Sequence, residues 1–251
     1  MNKIESIYRY PVKGLSGECL DSIVLSAGEV LPGDREYAFA RAGVVFDPDS
    51  PEYLQKTNFL ALVRDDKLAE FETRLDPASK RLSILQNGAL LLEADLANIA
   101  DCEKAAEFFR DHLEISPGNQ PRVIRAADGT KGHSFSDVPD KAVSLISLSS
   151  IREFGEKIGA DVDPVRFRGN INFENDTPWQ EFDWLDRDLR IGDAVLHVFK
   201  RTQRCAATTV NPETAARDIN VPRELHMNYA HMDMGIYTEV IEGGEIKPGD
   251  E

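Results

Sequence analysis

The segment Lys200-Arg201-Thr202-Gln203-Arg204-Cys205-Ala206-Ala207-Thr208-Thr209-Val210 holds the residues with the clearest chemical potential. A lone thiol stands there among arginines and threonine hydroxyls, just before Asn211-Pro212. Nearby cations favour thiolate, the form that attacks electrophiles or binds soft metals. The same pattern also suits a small cysteine buried in a core. Other cations sit at turns or strand ends: Lys13 follows Tyr10-Pro11-Val12, and Arg35 follows Pro32-Gly33-Asp34. In Arg166-Phe167-Arg168-Gly169-Asn170 a strand would place both arginines on one face, with Asn170 two residues further along it. Planar guanidinium groups suit bidentate capture of phosphate or carboxylate. Pairing with surface acids is the commoner use of any single arginine.

Several other chemistries fail on spacing. The cysteines Cys19, Cys102 and Cys205 form no C-x-x-C pair, which argues against ribbon-type zinc and iron–sulfur sites. Gly14-Leu15-Ser16-Gly17 is too short for a nucleophile elbow, and neither a dinucleotide fingerprint nor a phosphate loop occurs. His226 and His231 are five apart, the wrong spacing to share a helical face, so a metal site with Asp233 is disfavoured. His197 reads as a structural or surface residue in an alternating strand.

The elements that must position these groups read as many short strands with a few helices. Lys3 to Val12, Leu20 to Leu25, Tyr37 to Phe39 and Val44 to Phe46 are strand-like, and the turns at Asp76-Pro77 and Asn87-Gly88 suggest hairpins. A helix capped by Asp101 carries the stripe Cys102, Ala105, Ala106, Phe109 and Leu113. Val143 to Leu148 leads into a helix capped by Ser149 or Ser150. Val165 to Phe173, Leu189 to Lys200 and Gly235 to Ile241 are further strands. The expected class is mixed α/β and β-rich.

The 251 residues carry 29 Lys plus Arg against 44 Asp plus Glu, a net charge of −15. Such a surface disfavours nucleic acid and anionic lipid as partners. An anionic ligand then needs cations gathered in one pocket. No uninterrupted apolar stretch reaches membrane-span length, and no signal peptide is visible, so the expectation is a cytoplasmic protein without membrane partners.

With those residues in view, the chain resembles the MOSC family, the molybdenum cofactor sulfurase C-terminal domain proteins. The nearest branch contains the mitochondrial amidoxime reducing component and its bacterial relatives. Tyr10-Pro11-Val12-Lys13-Gly14, Gly33-Asp34-Arg35, Phe135-Ser136-Asp137 and Ile146-Ser147-Leu148-Ser149-Ser150 appear in family order. So do Arg166 to Asn170, Pro178 to Trp184, Arg204 to Pro212 and Lys247-Pro248-Gly249-Asp250. The resemblance implies an N-terminal β-barrel-like domain over 1–115 packed on a MOSC β-barrel over 116–251, with a few helices. It implies a molybdenum–molybdopterin cofactor whose metal is bound by Cys205. Lys13, Arg35, Arg168, Asn170 and Thr208 match cofactor-binding positions, and Asp137 and Glu181 match acidic positions near the cofactor.

The implied activity is reduction of small N-hydroxylated or N-oxygenated compounds by oxygen-atom transfer. Electrons are expected from a separate donor of ferredoxin, flavin reductase or cytochrome type. The alternative is a carrier of the cofactor or of sulfur without turnover of its own. Two positions depart from the family pattern: Gly14, often serine in relatives, and Gly169, a proline in the family. Ser16 is the candidate to replace the hydroxyl missing at Gly14.

Overall fold

The structure, a computed structural model, describes residues 2–126 and 135–251. The first half holds β1 (Lys3–Arg9), β2 (Glu18–Leu20), β3 (Ile23–Leu25), β4 (Tyr37–Ala40), β5 (Glu72–Leu75), β6 (Arg81–Gln86), β7 (Ala89–Asp95) and α1 (Ile99–His112). The rest holds β8 (Arg122–Arg125), β9 (Val143–Ser147), α2 (Leu148–Ile158), β10 (Ile171–Glu174), β11 (Asp188–Ile191) and β12 (Ala194–Gln203). Then come α3 (Val221–Tyr229), β13 (Asp233–Glu242) and β14 (Gly244–Ile246). The fold is mixed and strand-rich, as its sequence indicated.

Among the described residues seven strands form the main sheet, in the order β11-β12-β13-β9-β10-β1-β2. Its pairs are antiparallel except β9 with β10, which run parallel with α2 between them in sequence. The sheet curls around a core that includes Ile4, Ile7, Val143, Leu145, Leu196 and Ile236. Its other face meets α2 and α3 through Ile146, Phe154, Leu225 and Met234. A second core joins the meander β5-β6-β7 to α1, with Leu82, Ile84, Ala106 and Phe109. Phe109 is fully buried there, worth roughly 2–3 kcal/mol in apolar burial.

The two expected parts exchange elements. β1 and β2 complete the sheet built by the second half, and β8 pairs with β4 in the first. β3 pairs with β14, close to the end of the chain.

Local chemistry explains where elements begin. Asn87 and Gly88 both take positive φ, so the β6–β7 hairpin turns there. The helix α1 starts one turn before its apolar stripe: Asn98 caps it, accepting from the amides of Ala100 and Asp101. Asp101 falls in the first turn instead, where the helix dipole suits an acid. α2 is capped by Ser147 rather than Ser149 or Ser150, because the buried strand ends at Ser147 and its hydroxyl accepts from Ser150 N. The expected strand from Val165 to Phe173 begins only at Ile171, as β10, and a 3-10 turn over Pro164–Phe167 takes the place of its first part. Proline at the first helical position and the Asp163 side chain, which accepts from Val165 N, favour that turn. Leu189 to Lys200 is a hairpin broken at Gly192 (φ 55), and Val44 to Phe46 forms no strand.

Candidate functional site

A cleft of about 250 Å³ opens where the β1–β2 connection, the Pro164–Phe167 turn, the end of β12 and the Phe135–Asp137 segment meet. Cys205, Lys13, Arg35, Asp137, Arg168, Asn170 and Thr208 all line it; Glu181 does not.

Cys205 is held through its backbone. β12 ends at Gln203, and the buried Arg204 then anchors the chain, donating from Nε to Met234 O (2.8 Å) and from Nη1 to Phe167 O (2.9 Å). Cys205 is extended, and a 3-10 turn over Ala206–Thr209 follows. The amide and hydroxyl of Thr208 both donate to Cys205 O, at 3.0 and 2.8 Å. The half-buried thiol faces the cleft. Gly235 permits the close approach of β13 to β9 beside Arg204: at φ +76, a Cβ would lie 2.4 Å from Leu145 O.

The cations gather around Tyr10. Its buried ring carries the Arg168 guanidinium at 4.3 Å and that of Arg35 at 5.0 Å from its centroid. Arg35 and Arg168 both sit at positive φ, so two tight turns aim them inward. Asp34 accepts from Tyr10 N (2.8 Å) and pairs with Arg35, whose Nη2 donates to Arg168 O (3.1 Å). Arg168 Nη1 donates to Leu15 O (2.6 Å), while its buried Nη2 has no partner among the described residues. Burial lowers Arg168 to about 10, with repulsion from Arg35 adding to it.

Lys13 is buried and donates to Phe135 O (2.8 Å) and Asp137 Oδ1 (2.6 Å). Burial draws this ammonium below its ordinary value, against the pull of Asp137. For Asp137 burial acts upward, yet Lys13, Lys56 and Arg35 bring its carboxyl well below the ordinary range. The group is therefore a fixed carboxylate at neutral pH, an acceptor only.

Two of the expected ligands serve chiefly as wall. Asn170 Oδ1 accepts from Ser144 N (3.1 Å) and Oγ (2.9 Å), and its Nδ2 donates to Tyr8 O (3.2 Å), tying β1 to β9. The Thr208 hydroxyl is taken up by Cys205 O. Ser16 does not replace the hydroxyl missing at Gly14: its Oγ accepts from Thr73 N (2.7 Å), outside the cleft.

Lys56 is a cleft residue that no sequence pattern marked. It comes from a 3-10 turn, Lys56–Asn58, in the long β4–β5 connection. Its ammonium lies 4.0 Å from Asp137 Oδ2 and close enough to the Cys205 thiol to interact with it electrostatically. Burial lowers Lys56, but Asp137 and Cys205 together raise it above its ordinary value. Only its long-range proximity to Cys205 gives it away.

Glu181, expected near the cofactor, lies instead beside the start of α2. It is 0% exposed, with Ser150 Oγ 2.9 and 3.0 Å from its two carboxyl oxygens. Burial pushes it up from 4.5 to about 7, against its own backbone amide, Ser150 and Arg201. Above pH 4.5 the unfolded chain releases this proton while the fold retains it, so stability falls as pH rises towards 7. Glu181→Gln is therefore expected to stabilise the protein at pH 8, by on the order of 3 kcal/mol. Urea unfolding at pH 8 and pH 4 checks this; a gain of equal size at both would show that the carboxyl does not titrate as described.

Among the described residues no group of His, Cys, Asp and Glu could hold a metal by itself. His231 packs against Trp179 and Phe182, and His197 pairs with Asp188 at 2.8 Å. Nor is any helix among them long and apolar enough to cross a membrane.

The model of the MOSC domain matches residues 130–251. The molybdenum cofactor sulfurase of Drosophila mojavensis is 33% identical over 116 residues, 45% of this chain and 14% of that protein. Mitochondrial amidoxime reducing component 2 of Bos taurus is 24% identical over 176 residues, 60% of this chain and 51% of that protein. The chain thus spans about half of one curated relative and a small part of the other. Among solved structures, YuaD from Bacillus subtilis aligns with 100% of this chain and 93% of its own, at TM-score 0.46 and 13% identity. YiiM from Geobacillus stearothermophilus aligns with 43% of this chain and 51% of its own, at TM-score 0.35 and 19% identity.

Proposed function

We propose that this chain, whose residues 130–251 match the model of the MOSC domain, binds a molybdenum–molybdopterin cofactor and reduces small N-hydroxylated or N-oxygenated compounds. The observation that carries this reading is one cleft holding a lone thiol and a cluster of cations, in a chain of net charge −15.

The residues present fit the group. Seven cationic side chains against two carboxylates, Asp34 and Asp137, line the cleft among the described residues. The buried Arg168 Nη2 and Arg166 Nε have no partners there, and orphaned polar atoms of this kind call for a ligand. A single thiolate is the soft donor that molybdenum takes. Cys205 would hold the metal, and Lys13, Arg35 and Arg168 the anionic end of the pterin. When bound, the cofactor supplies the two-electron chemistry that removes oxygen from nitrogen.

The protein's own part is positioning. Thr208 and Arg204 fix the backbone on either side of the thiol, and Asn170 holds the cleft wall. Asp137 accepts a hydrogen bond from the N–H or O–H of an amidoxime or hydroxylamine. Glu181, outside the cleft, has a structural role. Electrons would come from a separate redox protein of ferredoxin, flavin reductase or cytochrome type. Lys56 against the thiol also suits the second reading, a sulfur or cofactor carrier, in which Cys205 would bear a persulfide.

Molybdenum per chain tests the first reading, measured on wild type and Cys205→Ala from a host that makes the cofactor. Near-stoichiometric metal in the wild type is expected, lost in Cys205→Ala, together with reduction of benzamidoxime by chemically reduced protein. Metal-free wild type carrying a persulfide on Cys205 by intact mass would overturn it in favour of the carrier.

A further inference from the structure

Most cations of the cleft are already engaged. Lys13, Arg35, Arg166, Arg168 and Arg204 each donate to a protein oxygen, at distances down to 2.5 Å. Lys200 has no partner among the described residues and is exposed at the cleft rim. Thr202, two residues further along β12, is 2% exposed, and its hydroxyl is unpartnered although it lines the same cleft. Arg204 follows two residues later. Lys200, Thr202 and Arg204 all line the cleft around the end of β12, Lys200 exposed and Thr202 and Arg204 buried. The pairing of β12 with β13 shifts register on both sides of this stretch, between Val198 and Lys200 and between Arg201 and Gln203; such bulges re-aim side chains beside functional sites. Lys56 also lines the cleft, beside the Cys205 thiol and 4.0 Å from Asp137 Oδ2. The two carboxylates in the cleft are neutralised by other groups: Asp34 pairs with Arg35, and Asp137 with Lys13.

We propose that Lys200, Thr202 and Lys56 form an anion subsite at the mouth of the cleft, so that the preferred substrates carry a carboxylate beside their N–O group. This rests on the reductase reading and names its substrate class. The two ammonium groups meet the carboxylate, and the Thr202 hydroxyl donates to it from a site shielded from water. Charge-assisted hydrogen bonds of this kind are the strong ones. The acidic surface elsewhere leaves the cleft as the place where an anion concentrates.

Calorimetric titration of the purified protein with benzamidoxime and with para-carboxybenzamidoxime tests the subsite. The carboxylated probe is expected to bind about tenfold more tightly, as one charge-assisted hydrogen bond supplies, with the preference shrinking as salt rises. Lys200→Gln and Lys56→Gln should each reduce the ratio several-fold, whereas Lys200→Arg should keep it. Equal affinity for the two probes, or a preference that survives both glutamine variants, overturns the subsite. Molybdenum content of the same preparations separates the two claims. Loaded protein without the preference removes the subsite alone; metal-free protein with a Lys200-dependent preference keeps the anion site but removes the redox reading and, with it, the substrate class.

Discussion

Lys13→Met protein is expected to purify folded but largely without molybdenum. Methionine keeps the unbranched stem against the Phe59 ring, which the ammonium approaches to 5.6 Å. What disappears is the cation that holds Phe135 O and Asp137. The unpaired carbonyl costs about 1–3 kcal/mol, a shift that urea unfolding resolves without abolishing the fold. The effect on an anionic ligand is larger. One charge-assisted bond of about 1.5–3 kcal/mol is lost, which is roughly ten- to a hundredfold in retention. Asp137 then faces the ligand with its principal counter-charge gone, and repulsion adds to the loss. Metal analysis after gel filtration gives the result. Wild-type molybdenum in Lys13→Met would sink the assignment of this lysine to the cofactor.

Restoring the hydroxyl at position 14 should damage the protein. Gly14 sits at φ +84, and a Cβ there would lie 2.6 Å from Leu60 O and 3.1 Å from Ala61 Cα. The left-handed backbone alone costs a side chain about 1–2 kcal/mol. With the contact on backbone oxygen, Gly14→Ser is expected to lose roughly 2–4 kcal/mol. Gly14→Ala should lose the same amount, because the Cβ and not the hydroxyl is at fault. Thermal melts of both variants give the answer, and a serine variant as stable as wild type would show that the loop at Leu60 yields. Gly169 is constrained in a related way: a Cβ there would lie 2.2 Å from Ile146 Cγ1. Both departures from the family pattern are therefore built into the local packing of this chain.

How much of this was legible in the residues depends on distance along the chain. The thiol of Cys205 and the turns carrying Lys13 and Arg35 were visible because glycine, proline and charge cluster within a few positions. The strand from Gly235 to Ile241, within β13, and the Asn87-Gly88 hairpin were equally local. The Arg166–Arg168 stretch was misread as a strand since its spacing of two fits one, although Asp163-Pro164 already favoured a turn. Glu181 travels with a family segment but is buried beside Ser150, a contact between residues 31 positions apart that no local pattern reveals. Lys56 reaches Cys205 from a loop without periodicity. Nor could hydrophobic patterning show that β1 enters the sheet between β10 and β2, since that depends on partners in both halves.

That placement of β1 bears on how the molecule is made. A chain leaving the ribosome carries β1 until β10 emerges, and the Asn170–Tyr8 bond that fastens them joins positions 162 apart. The meander β5-β6-β7 with α1 relies on neighbours close in sequence and can settle early. The sheet beneath the cleft closes only when most of the protein has been synthesised, a slow, non-local step. Until then the arginines and the thiol are strangers to one another, so the cleft is among the last features the nascent protein acquires.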